Sequence, residues 1–292
     1  MKILLAVDAS PDSRNAAHMI RHCAQPPSLD ILNVVDVDAL RHAYISPEVP
    51  ASYLETYRQE VSELAEKVLH EMKAELEPLS LHVRLIADSG DAAESIIQTA
   101  EESRSELVIV GQRGMTASPS FLLGGVSQKV ATYAPCSALV VKDDPIALER
   151  LVLAVDGSEE SHKAVTFLRH SPFKAPLSVY VVTVWPQGRA LGSASAHTAK
   201  RSSRSEVKEV VKAKGEELLS RVAAELSQGP YTVQTELLHG DPAFAILDAA
   251  VRREAQMIVV GARGRTAIKR FLLGSVCQKV LVHALCSVLV VR

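Results

Sequence analysis

The chain has 292 residues, 47% hydrophobic and 23% charged, with a formal net charge of −2. That length accommodates two domains of ordinary size, and a near-neutral balance gives no global argument for a nucleic-acid or membrane-surface partner. No apolar run approaches the ~20 residues of a membrane span, and the opening MKILLAVDASPDS breaks at Asp8 without a small-residue cleavage site, which reads as a strand in a cytoplasmic protein and not as a signal peptide.

Taken in order, the first half of the chain alternates short apolar runs with longer helical patterns. KILLAV, LDILNVV, HVRLIA, ELVIV and SALVV are runs of Val, Ile and Leu with little polar alternation, as expected of strands buried on both faces of a parallel sheet. After the first run, Ser10-Pro11 supplies a helix N-cap followed by Pro at the first helical position. Between the second and third runs, Leu54, Tyr57, Val61, Leu64, Val68, Met72 and Leu76 recur at three-and-four spacing, one stripe of a helix. Strand and helix alternating throughout predicts βαβ units with right-handed crossovers.

The second half repeats the first. Residues 107–142 and 257–292 are identical at 20 of 36 positions, and 87–100 matches 237–250 at the same offset of 150. The first strand, ILLAVDASPDS, matches LVLAVDGSEES at an offset of 148, so two extra residues lie between the first strand and Val184 in the second copy. There Ser158-Glu159-Glu160 caps the helix with carboxylates in its first turn, and Val207, Val211, Leu218, Val222 and Leu226 form the matching stripe. A period of this length is a whole domain, not a solenoid unit. Two homologous domains, 1–142 and 151–292, are predicted, joined by a linker at 143–150. One segment is unlike the VDALRHAYISPEVP that it replaces: 186–206, PQGRALGSASAHTAKRSSRSE, is rich in Ser, Ala and Gly and carries Arg189, Lys200, Arg201 and Arg204, which suits a solvated loop, a basic flap or a phosphorylation site. Cys23, Cys136, Cys277 and Cys286 form no CxxC and fit reduced thiols.

The chemistry concentrates in two loops, GQRGMTASPSFLLGGVSQKV from Gly111 and GARGRTAIKRFLLGSVCQKV from Gly261. Each follows a strand and runs into a helical pattern. In a parallel sheet, ligands bind beyond the carboxyl ends of the strands. Glycines there let backbone N–H groups approach a phosphate, and the next helix adds its N-terminal partial charge. Neither loop is a P-loop, GxxxxGK[ST], or a GxGxxG dinucleotide fingerprint. A glycine turn serving only the fold is the other reading of a lone GxxG. The full spacing G-x2-G-x9-G-S at Gly261, Gly264, Gly274 and Ser275 is far more restrictive. Asp8 and Asp156, at the ends of the first strands, suit either hydroxyls and amines of a ligand or a helix start. His239, before Gly240-Asp241, reads as a strand-end residue.

With VDAS at 7–10, VDGS at 155–158, GDPAFAIL after the third strand, both glycine loops and the closing CSVLVVR in view, the chain resembles a tandem universal stress protein over nearly its whole length. The resemblance implies two five-stranded parallel sheets of order 3-2-1-4-5, helices on both faces, packed as an internal pseudo-dimer. It also implies bound ATP, with or without Mg2+. By position, Asp8 and Asp156 would lie near adenosine, the backbones of Val34 and Val184 would touch adenine, and ribose and phosphates would lie on two loops. These are Gly111, Gly114, Gly124, Gly125 and Val126 in the first copy, and Gly261, Arg263, Gly264, Gly274, Ser275 and Val276 in the second. The first copy departs from the pattern at Gly125, where Ser or Thr is expected, and the second at Thr183 and Cys277. Arg263, Arg265, Lys269 and Arg270 against Arg113 alone make the second loop the more cationic and the expected tighter site. The final strands, SALVV and SVLVV, are expected to be apolar sheet edges that pair with one another within the chain, with a homodimer through other surfaces left open. The function expected is that of an ATP-binding stress regulator without a catalytic site. A nucleotide-free interaction module and a weak ATPase are the alternatives.

Overall fold

In a computed structural model of the chain, residues 1–24, 28–35, 51–79, 82–115, 122–144, 146–170, 172–174, 176–185, 201–264 and 273–292 are described, without the side chains of 51–54 and 201–208. Two compact units, Met1–Ile146 and Ala147–Arg292, divide it.

The first unit contains strands β1 (Lys2–Ala6), β2 (Ser28–Val35), β3 (His82–Ser89), β4 (Leu107–Gly111) and β5 (Ser137–Val141). Its helices are α1 (Pro11–His18), α2 (Ala51–Leu76), α3 (Ala92–Glu102) and α4 (Gly125–Tyr133). All strand pairs are parallel, in the order β3-β2-β1-β4-β5. The second unit repeats this with β6 (Arg150–Ala154), β7 (Leu177–Trp185), β8 (Tyr231–His239), β9 (Met257–Gly261) and β10 (Ser287–Val291). Its helices are α5 (Glu159–Arg169), α6 (Arg201–Leu226), α7 (Pro242–Arg252) and α8 (Ser275–His283), and its strand order is β8-β7-β6-β9-β10. The order reverses at β1 and at β6. Right-handed crossovers therefore put α1 and α2 on one face with α3 and α4 on the other, and likewise α5 and α6 opposite α7 and α8.

Burial follows position in that order. β4, β5 and β10 are buried at every residue, and the apolar runs of β1 and β6 fill the middle of each core. β3 departs from the expectation of a strand buried on both faces: it alternates between exposed and half-buried residues because it ends the sheet. The stripe on α2 is also shifted. Ala65, Val68, Leu69, Met72 and Leu76 are buried, whereas Leu64 is 49% exposed. The segment 186–206 divides: Arg201–Glu206 belong to α6, and 186–200 lie outside the described residues.

Local signals fix most helix starts. Ser10 Oγ accepts from the Ser13 N–H at 3.1 Å and Ser158 Oγ from the Ser161 N–H at 3.2 Å, each ahead of a helix beginning one residue later. Asp91 and Asp241 cap α3 and α7. Each follows a glycine with positive φ, Gly90 at 139° and Gly240 at 118°, a conformation that a side chain would strain. The N–H of Glu94 holds the Asp91 carboxyl below its usual range and the N–H of Phe244 does the same for Asp241, with Lys129 and Lys279 adding to it. A lowered native value means that the cap contributes at pH above the ordinary carboxylate range and is lost as pH falls through the lowered one. Asp241→Ala is therefore expected to cost ~1 kcal/mol at neutral pH. In urea unfolding, wild type and variant should converge as the pH is taken into the acid range.

Candidate functional site

At the carboxyl rim of each unit, the strand-end turn and the glycine loop interlock. Asp8 accepts from the Ser10 N–H at Oδ1 and from the Met115 N–H at Oδ2, both at 2.9 Å, so its carboxylate ties the β1–α1 turn to the loop after β4. Asp156 Oδ1 accepts from the Ser158 N–H at 2.9 Å. The two turns are not copies. Gly157 has φ 75°, and no positive φ occurs at Ala9. Ser13 Oγ donates to the Asp8 carbonyl at 2.5 Å, whereas Ser161 Oγ donates to the Ser158 carbonyl at 3.0 Å.

The predicted glycines divide into two groups. A Cβ on Gly111 would lie 2.5 Å from the backbone of Asp12, and one on Gly261 would lie 2.7 Å from the backbone of Glu160. These two let the strand end touch the first turn of α1 or α5, which is a packing role. A Cβ on Gly114 would instead meet Asp8 Oδ2, and one on Gly264 would meet Asp156 Oδ2, each at 2.7 Å. These two let the loop lie against the carboxylate. Gly124 and Gly274 are the N-caps of α4 and α8, and their N–H groups donate to Gln112 and Ala262 carbonyls at 2.9 and 2.8 Å.

Neither α4 nor α8 has a side-chain cap, whereas α1, α3, α5 and α7 each have one. Among the described residues, the rim thus presents two helix ends whose first-turn N–H groups have no side-chain acceptor, and both follow the glycine loops. Gly125 and Ser275 occupy the first helical position and are exposed, as is Val126, with Val276 half-buried. A Cβ on Gly125 would meet nothing within 4 Å, so a side chain such as that of Ser275 fits there without resistance. One turn position further in, Ser127 Oγ donates to the Gly111 carbonyl at 2.6 Å. Its counterpart Cys277 is fully buried, and burial pushes its thiol up to about 12. Ser127 therefore ties helix to strand, and the departure at Cys277 lies inside the fold.

Val34 and Val184 lie at the same rim for a different reason. The Val155 N–H donates to the Val182 carbonyl at 2.9 Å, and the Gly240 N–H donates to the Trp185 carbonyl at 3.2 Å. In a parallel ladder successive residues point their backbone groups to opposite sides. The N–H and C=O of Val184 therefore face β6, beyond the last residue of that strand. The bonds from Val7 to Leu32 and from Gly90 to Val35 place Val34 in the same way. Each valine thus offers one donor and one acceptor, side by side, over the turn that carries Asp156 or Asp8.

Both described arginines of the loops are engaged by acids. Arg113 Nε reaches Asp12 at 3.1 Å, and Arg263 Nη2 reaches Glu160 Oε1 at 2.8 Å. These two correspond and are alike in this, and Arg265, Lys269 and Arg270, which make the second loop the more cationic, lie outside the described residues. A feature the sequence reading passed over is Trp185. Its ring packs against His239, centroids 5.6 Å apart and tilted by 50°. Thr183 and Leu237 face α6 at Gly215, and two residues on along each strand Trp185 and His239 project from that same face. The first unit has Val35 and Ser89 at these places. The signal available was that this is the only tryptophan in the chain.

An open parallel sheet with its strand order reversing at the first strand of each unit, and glycine loops that follow the neighbouring strand, defines a doubly wound α/β protein built twice. The family model described as the universal stress protein family matches residues 1–142 and again 147–292, and the chain belongs to that family. A universal stress protein from Mycolicibacterium smegmatis is 27% identical over 301 residues, covering 99% of this chain and 96% of its own. One from Thermus aquaticus is 34% identical over 142 residues, 48% of this chain and 97% of its own. The crystal structure of a universal stress protein from Archaeoglobus fulgidus superimposes with a TM-score of 0.65 at 21% identity, covering 100% of this chain and 98% of that one. Among the described residues no helix is long and apolar enough to cross a membrane.

Proposed function

We propose that each unit binds an adenine nucleotide at its carboxyl rim and that the protein is an ATP-responsive regulator in stress physiology. The observation that carries this reading is the presence, on one rim, of an open backbone donor–acceptor pair and an uncapped helix N-terminus. In the second unit these are Val184 at the end of β7 and the start of α8 after β9, with Asp156 at the end of β6 between them. Strands are spaced by ~4.8 Å, so about 10 Å separates the ends of β7 and β9. A nucleotide fits that span in one orientation. The edge of adenine, with a donor and an acceptor side by side, pairs with Val184, and the phosphates reach the N–H groups of Ser275 and Val276. Asp156 would repel phosphate, and it lies where the ribose hydroxyls fall. Mg2+, where it accompanies ATP, would sit among the phosphates. In the first unit Val34, Asp8, Gly125 and Val126 take these roles.

The second unit is proposed as the tighter site because Ser275 adds a hydroxyl that Gly125 lacks. The test uses the single tryptophan, adjacent to Val184. ATP titrated into the full chain should change Trp185 emission, with dialysis against labelled ATP counting the sites. Asp156→Ala should weaken the fluorescence-detected binding by ~10- to 100-fold, the effect of losing a hydrogen bond to a charged group. Unchanged affinity in that variant would leave Asp156 as a turn clamp. No binding by dialysis would remove the nucleotide reading.

A further inference from the structure

The second unit has a cleft of about 390 Å³ between α5 and α6, which lies on the face behind the Gly157 turn and, among the described residues, includes none of Val184, Gly261 and Gly264. Ligand pockets begin at about this size. Its floor is apolar, made of Val155, Val165, Leu218 and Val222. Its rim is charged, and the charges are unequally matched. Glu159 is paired with Lys163 at 3.6 Å and Glu225 with Arg169 at 3.2 Å. Arg221 and His162 also line the cleft and are exposed, and among the described residues neither forms an ion pair. An apolar floor below an uncompensated guanidinium complements a small molecule with an apolar body and one acidic end.

The first unit shows what closes the same place. Val222 corresponds to Met72, a longer side chain that is likewise buried. His162 corresponds to Arg14, which binds Glu75 at 3.0 Å, and Thr166 to His18, which meets Glu75 at 3.5 Å. Those two contacts bridge α1 to α2. In the second unit the matching glutamate, Glu225, turns to Arg169 instead, and the bridge is absent among the described residues. Arg221 replaces Glu71, which reverses the charge at that position. A smaller side chain at 222, the missing bridge and the guanidinium at 221 together leave an open place for an anion.

We propose that the cleft between α5 and α6 is a binding site for a small amphipathic carboxylate, separate from the nucleotide rim and adjoining it only through the Asp156–Ser158 turn. The carboxylate pairs with Arg221, aided by a nitrogen of His162, and the apolar body lies on Val165, Leu218 and Val222. A ligand here presses on the turn that positions Asp156, so the site can adjust the rim without occupying it.

The probes are hexanoate, benzoate and the uncharged hexanamide, titrated calorimetrically into the full chain with and without saturating ATP. Hexanoate or benzoate should bind saturably with and without ATP, and hexanamide at least about tenfold more weakly. Val222→Met and Arg221→Glu install the residues of the first unit. Each should reduce hexanoate affinity by about tenfold or more while the thermal midpoint and ATP affinity stay close to wild type. Arg221 is at the surface, so its variant reports even if Val222→Met disturbs packing. Absence of saturable binding by both acids, equal binding of hexanamide, or hexanoate affinity unchanged in Arg221→Glu would overturn the proposal. Displacement of hexanoate by ATP would overturn it as well, because the acid would then be reporting the nucleotide rim.

Discussion

Gly261→Ala is expected to lower the stability of the second unit by ~3 kcal/mol or more, the range of severe overpacking, and Gly111→Ala to do the same in the first. The added Cβ would stand 2.7 Å from the backbone carbon and oxygen of Glu160, or 2.5 Å from those of Asp12. Backbone in the first turn of a helix cannot swing aside as a side-chain tip can. Relief requires the strand and the helix to separate, and each has buried neighbours: α1 and α5 pack against the central strands through Ala16, Ala17, Ala164 and Val165, all at most 1% exposed. Denaturant unfolding should show a lowered midpoint in both variants. A loss below ~0.5 kcal/mol would mean that the two elements are not held as closely as these distances state.

Gly264→Ala should behave in the opposite way, with a small change in stability and a large one in ligand binding. Its Cβ would meet Asp156 Oδ2 at 2.7 Å, and a carboxylate at the end of a side chain can rotate away. The cost to the fold is that of a displaced surface group. The cost to the proposed nucleotide is the loss of a positioned carboxylate, ~1.5–3 kcal/mol, or one to two decades in affinity. Gly264→Glu should go further by setting a negative charge where phosphates would lie. Gly114→Ala is the internal comparison. Its Cβ would meet Asp8 Oδ2 at the same 2.7 Å, so a small stability change of the same kind is expected in the first unit. If ATP affinity at the second unit survives Gly264→Ala, Asp156 is not part of the site.

What the sequence made legible was what is local. Helix caps at Ser10, Ser158, Asp91 and Asp241 are set by residues within three positions, and the strands by runs of apolar side chains. The repeat was legible in the residues themselves, and the strand order followed from the resemblance. The burial of β3 and the phase of α2 were misjudged because each depends on what lies across the sheet: an end strand reads the same as a central one, and Leu64 is as apolar as Ala65. Within the site, the four residues of GxxG look alike in one dimension. Only distance separates Gly111 and Gly261, which touch helix backbone, from Gly114 and Gly264, which touch a carboxylate. The pairing of Arg263 with Glu160 spans 103 positions and was invisible for the same reason. So was the cleft, since it is defined by a comparison of Val222 with Met72 and of His162 with Arg14.

The two halves can be understood as copies of one ancestral domain that have since drifted, and the difference between their β1–α1 and β6–α5 regions shows where drift was allowed. Gly111 and Gly261 both stayed glycine, because there backbone meets backbone and no second mutation elsewhere could compensate. The Arg14–Glu75–His18 cluster did not survive as His162–Glu225–Thr166, because there side chain meets side chain and Arg169 could take over the glutamate. The two copies therefore agree where a change would need two backbones to part, and differ where one side chain can be exchanged for another.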